Sequence, residues 1–238
     1  MKLKTISYKL ASTCDGLKFK APITHVYNPL IYAKELHNQY LEHYEGKKIP
    51  AILLGMNPGP WGMAQTGVPF GEINAVKDFI NIKGAVDEPQ IIHPKRKIEG
   101  LGCQRSEVSG RRLWGWAKHR FDTFDNFKKH YFVYNYCPLV FMEESGKNFT
   151  PDKLPKTVRK KLFQICDESL KEFVALLKPE WVIGVGGFAE KRAKAVFPES
   201  TVNIGKILHP SPASPAANQG WQAHIEKQLK SLKLPFKK

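Results

Sequence analysis

The chain has 238 residues, of which 42% are hydrophobic and 25% charged, the make-up of a folded globular protein rather than a disordered or fibrous one. Lys and Arg number 37 against 22 Asp and Glu, a formal charge of +15, which suits a polyanion (nucleic acid or an acidic membrane surface) or else marks a merely solvated basic surface. The opening MKLKTISYKLAS lacks a signal-peptide core and no run approaches the ~20 apolar residues of a membrane span, so an intracellular protein is expected.

Asn28 before Pro29 marks a helix start, and the helix is predicted to continue to about Tyr44. IPAILLGM (49–56) is a short apolar run between turn residues and reads as a buried strand. It opens into GMNPGPWGMAQTGVPFG (55–71), which holds five glycines and three prolines. A simple connection needs only about two to five residues, so this backbone is suited to bringing main chain close to a ligand. EINAVKDFINI (72–82) has helical spacing at Ile73, Val76, Phe79 and Ile80. SGRRLWGWAKHRF (109–121) also reads as a helix, weakened by Gly110 and Gly115. YFVYNYC (131–137) is a second buried strand. Between Lys156 and Leu177 apolar residues recur at Val158, Leu162, Ile165, Cys166, Leu170, Phe173 and Val174, an amphipathic helix. WVIGVG (181–186) is a third strand, AEKRAKAVF (189–197) a short helix and VNIGKIL (202–208) a fourth strand. A closing helix presents Trp221, Ile225, Leu229 and Leu232.

Strands alternating with helices predict a three-layer α/β/α fold with a central, mainly four-stranded parallel sheet. We expect one domain over residues 1–238, with residues 1 to 25 peripheral. Ligands of such sheets bind beyond the carboxyl ends of the strands, which places the Gly/Pro loop and HPSPASPAANQGW (209–221) on one rim. There is no Walker loop, G-x-S-x-G elbow or H-E-x-x-H helix. Gly184–Ala189 fits G-x-G-x-x-G/A, yet no acidic residue ends the next strand to hold a ribose, so tight helix-on-strand packing is the better reading. Cys14, Cys103, Cys137 and Cys166 lie far apart without a C-x-x-C pair, which indicates reduced thiols and neither zinc nor an iron–sulfur cluster. Taken singly, Asn57 reads as a turn cap before Pro58, His209 as a structural histidine and Asn135 as a core amide.

Together the motifs read differently. GMNPGPWGMAQTGVPFG, NYCPL (135–139) and HPSPASPAANQGW closely resemble the single-strand-selective monofunctional uracil-DNA glycosylases, a branch of the uracil-DNA glycosylase superfamily. SEVSG (106–110), ESGKNFTPDKLP (144–155) and CDESL (166–170) support the resemblance, which runs from roughly residue 25 to 233. It implies a base flipped out of DNA and hydrolysed from its sugar, leaving an abasic site. On this resemblance Asn57 orients the attacking water, and His209 donates a hydrogen bond to the uracil oxygen that gains charge. Asn135 reads the N3–H and O4 edge, Phe70 stacks on the ring, and main-chain N–H groups near Met56 and Met63 contact the base. Other branches carry tyrosine where this chain has Gly59; glycine leaves room at C5, which implies tolerance of oxidised uracils such as 5-hydroxymethyluracil. Ser211, Pro212, Ala213 and Ser214 form the DNA-facing loop. Vertebrate relatives carry arginine at the position of Ala213, so a weaker grip on well-paired duplex is expected. Arg111 and Arg112 are candidates to contact phosphate or intrude into the duplex, or else form a solvated helix face. The resemblance implies no metal and no cofactor, a monomer, and DNA, single- or double-stranded, as the partner, in the cytoplasm or nucleus. The alternatives are a catalytically silent nucleic-acid binder of the same fold and a glycosylase of deaminated purines (xanthine, hypoxanthine).

Overall fold

The structure, a computed structural model, describes residues 2–198 and 202–234. Helix α1 (Leu3–Asp15) leads to β1 (His25–Tyr27), α2 (Pro29–Tyr32), α3 (Lys34–Glu42) and β2 (Ala51–Gly55). Helix α4 (Met63–Thr66) lies within the Gly/Pro loop, and α5 (Val108–Phe121) and α6 (Phe124–Phe127) precede β3 (Tyr131–Asn135). A short excursion, β4 (Val140–Met142) and β5 (Asn148–Phe149), is followed by α7 (Lys156–Leu177) and β6 (Trp181–Val185). The chain closes with α8 (Gly187–Val196), β7 (Asn203–Ile207), α9 (Pro215–Asn218) and α10 (Trp221–Ser231).

The central sheet is parallel, in the order β3-β2-β6-β7. Every residue of β2 and β3 is buried, as expected of strands covered on both faces. The period-two alternation of β3 defines the layers. Phe132 and Tyr134 lie against Phe173 of α7, while Tyr131 meets Trp116 and Phe121 of α5 and Phe127 of α6. Helix α7 buries Leu162, Cys166, Leu170, Phe173 and Leu177, the i, i+4, i+8 stripe expected of it. The three-layer α/β/α architecture with four parallel strands is thus present. Gly184 serves packing, as expected: a Cβ there would collide with the backbone nitrogen of Glu190 in α8. All four cysteines are buried and free.

Four elements differ from expectation. The helix from Asn28 breaks at Ala33, because the Tyr32 hydroxyl donates to Ala64 O at 2.6 Å and the Ala33 backbone lies against Gly67. The 72–82 segment is helical only over residues 73–79 and ends in a wide turn closed by Ile80 N on Ala75 O at 2.9 Å, although its four apolar residues are buried as predicted. Strands β1, β4 and β5 form a second, antiparallel sheet that the sequence pattern does not announce. Finally, the amino terminus is not peripheral. Leu3, Ile6, Leu10 and Cys14 are at most 2% exposed and join the main core, with α1 packed along α7. Among the described residues no helix is long and apolar enough to cross a membrane.

Candidate active site

The parallel register decides which side chains meet. Gly55 and Asn135 end β2 and β3 as direct partners, and Val185 and Ile207 end β6 and β7 as partners. The loops that follow therefore leave one rim together, with His209 beyond β7 and Asn57 beyond β2. Two strand spacings separate these exits, roughly 10 Å. Between them lies a cavity of about 530 Å³, lined by Met56, Asn57, Gly59, Phe70, Asn135, His209, Ser211 and Pro212 among others. That volume is typical of a small-ligand site.

Each expected reactive side chain is held by its neighbours. The Asn57 amide nitrogen donates to Leu139 O at 3.2 Å and, more weakly, to Pro58 O at 3.4 Å. This fixes the amide and leaves Oδ1 as the acceptor turned to other partners. Gly186, with φ of 93°, lies under His209; a Cβ there would be 3.2 Å from the His209 Cβ. The backbone N–H of Ser211 donates to His209 Nδ1 at 3.1 Å. Nδ1 is thereby an acceptor, and burial lowers the imidazole pKa to about 4. A neutral ring with an occupied Nδ1 lone pair carries its proton on Nε2.

Asn135 is 4% exposed; its Nδ2 donates to Met63 Sδ at 3.3 Å, and its Oδ1 has no protein partner. A buried amide acceptor left in this state costs about 1–3 kcal/mol unless a ligand donor meets it. Phe70 has φ of 54°, a left-handed conformation rare for an aromatic residue and worth about 1–3 kcal/mol of strain. That strain sets the ring beside Asn135. Both crowd Gly55, where a Cβ would collide with Asn135 Oδ1 and lie 2.6 Å from Phe70 Cε2. Glycine is required there by close approach alone.

Several expectations take a different shape. Met63 lies under Asn135 and holds its amide, and is not part of the cavity wall. The backbone N–H groups of the 209–214 loop are engaged inside it: Ala213 N donates to Ser211 Oγ at 3.1 Å and Ser214 N to Ser211 O at 3.0 Å. These two N–H groups are therefore not available to a phosphate, whereas the Ser211 hydroxyl proton is. Ser214 caps α9, accepting from Ala217 N at 3.4 Å. Pro212 and Ala213 are exposed at the loop tip. Arg112 is not a free phosphate contact, because its guanidinium donates to Pro210 O at 3.0 Å and Asn218 Oδ1 at 2.8 Å. Arg111 stays exposed, 3.5 Å from Ser106 Oγ.

The cavity also holds residues to which the sequence reading gave no role. Trp61 forms part of the wall, with the guanidinium groups of Arg105 and Arg96 at 4.5 and 5.1 Å from its ring centre. Asn148 and Thr150 reach the cavity on the β4–β5 excursion, and Ser106 and Glu107 at the start of α5. Burial and then repulsion by Glu72 raise the Glu107 pKa to about 7. Trp61 lies within the first motif, and the only signal for the other four was their place within SEVSG and ESGKNFT.

Comparison with known proteins places the chain. The model of the Uracil DNA glycosylase superfamily matches residues 43–233. Over 229 residues the chain is 45% identical to the single-strand selective monofunctional uracil-DNA glycosylase of Rattus norvegicus, covering 95% of this chain and 82% of the relative. The proteins of the same name from Mus musculus and Bos taurus are also 45% identical, over 229 and 223 residues. The crystal structure of wild-type SMUG2 from Pedobacter heparinus superposes with a TM-score of 0.67 at 19% identity, covering 98% of this chain and 97% of that one; it supports the fold alone. With three site motifs converging on one cavity and relatives matching nearly end to end, this chain belongs to the uracil-DNA glycosylase superfamily.

Proposed function

We propose that the protein is a monofunctional DNA glycosylase that hydrolyses the N-glycosidic bond of uracil and leaves an abasic site. The observation that carries this reading is the buried, partnerless Asn135 Oδ1 in the cavity wall, with His209 and Asn57 lining the same cavity. Oδ1 accepts from uracil N3–H, and the second Nδ2 proton reaches O4. Cytosine, with a bare N3 and an amino group, presents the reverse pattern and leaves the buried amide unmatched. Phe70 covers one face of the ring.

The C1′–N1 bond breaks first, and its electron pair leaves with the base, which spreads the charge onto O2. Nε2–H of His209 donates to that oxygen, a preorganised dipole aimed where charge develops. The oxocarbenium-like sugar then takes up a water held by Asn57 Oδ1. An amide is too weak a base to abstract a proton, so it positions the water, whose surplus proton passes to the departed base or to solvent. The reaction uses only this chain's own residues, as a monomer on DNA, and proceeds in the presence of EDTA. Single strands are the better substrate, because Ala213 at the loop tip offers only a methyl group to fill the gap that a flipped base leaves in a duplex. Uracils oxidised at C5 are also accepted.

The test uses oligonucleotides carrying one uracil, followed by alkaline cleavage. Asn57→Ala and His209→Ala each lower the single-turnover rate by about 10²–10³-fold. Wild-type rates in both variants would refute the roles assigned here.

A further inference from the structure

A second cavity, of about 300 Å³, shares no lining residue with the active site. It is at the lower end of ligand-pocket volumes and suits one or two side chains better than a cofactor. Thr24, His25 and Val26 all line it, although neighbouring residues of a strand point to opposite faces. The cavity therefore runs along an edge of β1 rather than over one face. That edge is free: β1 lies at the margin of the second sheet and pairs with β4 alone among the described strands. An unpaired strand edge is a template for another extended chain.

Three further features say what kind of chain fits. First, the lining is apolar where it meets solvent. Ile31 of α2 and Ile91 are 43% and 69% exposed, beside the half-buried Leu17 and Phe19. Asp87 N donates to Tyr32 O at 2.8 Å, which ties the segment carrying Ile91 to α2 and leaves the groove formed in advance. Second, Asn28 follows β1, lines the groove and is 7% exposed. Its Nδ2 is spent on Ala11 O at 2.9 Å, and its Oδ1 has no protein partner. A buried acceptor in this state calls for a donor brought from outside. Third, the charges of the lining run against those of the chain. They are Asp15 and Glu88, with no Lys or Arg, in a protein of formal charge +15. Burial, and then repulsion by His93, lowers the His25 pKa, so its ring adds no positive charge at neutral pH. The groove repels phosphate and attracts cations.

We propose that this groove docks an extended segment of a protein partner, which pairs with the free edge of β1, lays an apolar side chain against Ile31 and Ile91, and sets Lys or Arg against Asp15 and Glu88. An N–H of that segment meets Asn28 Oδ1. Because the two cavities share no residue, the partner is held while the active site is on DNA.

The test pans a phage-displayed random heptapeptide library on the protein, with counter-selection on an Asp15→Lys, Ile31→Asp, Glu88→Lys variant. All three side chains are exposed, so the variant folds and excises uracil within about twofold of the wild-type rate. Ile91→Asp, also at an exposed position, serves if the triple variant does not fold. Peptides that join an aliphatic or aromatic residue to Lys or Arg are enriched, and in anisotropy titrations they bind the variant about tenfold or more weakly. Methylating one peptide N–H at a time lowers affinity about tenfold at one position or more, the mark of strand pairing. A single-stranded uracil oligonucleotide does not displace them. No enrichment over the variant, enrichment of acidic or uncharged peptides, indifference to every methylation, or displacement by the oligonucleotide would each overturn the proposal and leave the glycosylase reading intact.

Discussion

Burial lowers the pKa of both His209 and His37 to about 4, His37 while its Nδ1 is 2.7 Å from Gly67 O. In the unfolded chain each titrates near 6.5. Between these values the unfolded state binds more protons, so the histidine contribution to stability is complete above about pH 6.5 and is lost as pH falls towards 4. The loss approaches 3 kcal/mol per ring as an upper bound. Urea unfolding of wild type and His209→Asn between pH 6.5 and 4 checks this; the variant loses less stability over that range, by about 1–3 kcal/mol. Equal losses would show that His209 is not buried in its neutral form. Asn57, His209 and Asn135 were nameable from sequence because each sits in a long ordered motif. The place of Glu107 in the cavity wall was not, since it depends on the missing side chains of Gly59 and Gly62 against its carboxyl, a relation that only the fold creates.

The 209–214 loop and α5 form one mechanical unit. Arg112 projects from α5 to carbonyls of the loop and to Asn218, whose own amide donates to Pro212 O at 2.9 Å. Trp221 Nε1 adds a bond to Leu208 O at 2.7 Å. Arg112→Ala removes the brace without removing a phosphate contact. We expect kcat to fall about tenfold as His209 loses its fixed position, with the slope of log K against log[salt] unchanged. A reduced slope with kcat preserved would return Arg112 to the role of a DNA contact. Local propensity located most elements but misjudged the 28–44 and 72–82 segments. In both, the apolar residues are buried as their spacing requires, but contacts with the Gly/Pro loop and the capping of Ala75 N by Glu72 decide how the backbone turns.

At the scale of the whole molecule, part of the basic excess gathers at the cavity edge. Trp61 is flanked by Arg105 and Arg96, with exposed Lys95 and Lys97 beside them. Arg96 is tied to Gly146 O at 2.9 Å, whereas the exposed Arg105 guanidinium rests over the Trp61 ring. Arg105→Ala therefore reduces the salt slope for single-stranded DNA by about 0.7, the share of one phosphate contact. Measuring affinity from 50 to 200 mM salt by anisotropy checks this, and an unchanged slope would place the DNA path elsewhere.

The succession of the four central strands, the three-layer plan and the identity of the motif residues were fixed by the sequence itself. Apolar period and turn chemistry are local properties, and long motifs carry their residues with them. Only the tertiary structure decided that α1 completes the core, that a second sheet brings Asn148 and Thr150 to the cavity, and that Glu107 takes the volume before Gly59. Those facts depend on which surfaces meet across the sheet rim, and such meetings leave no periodic trace along the chain.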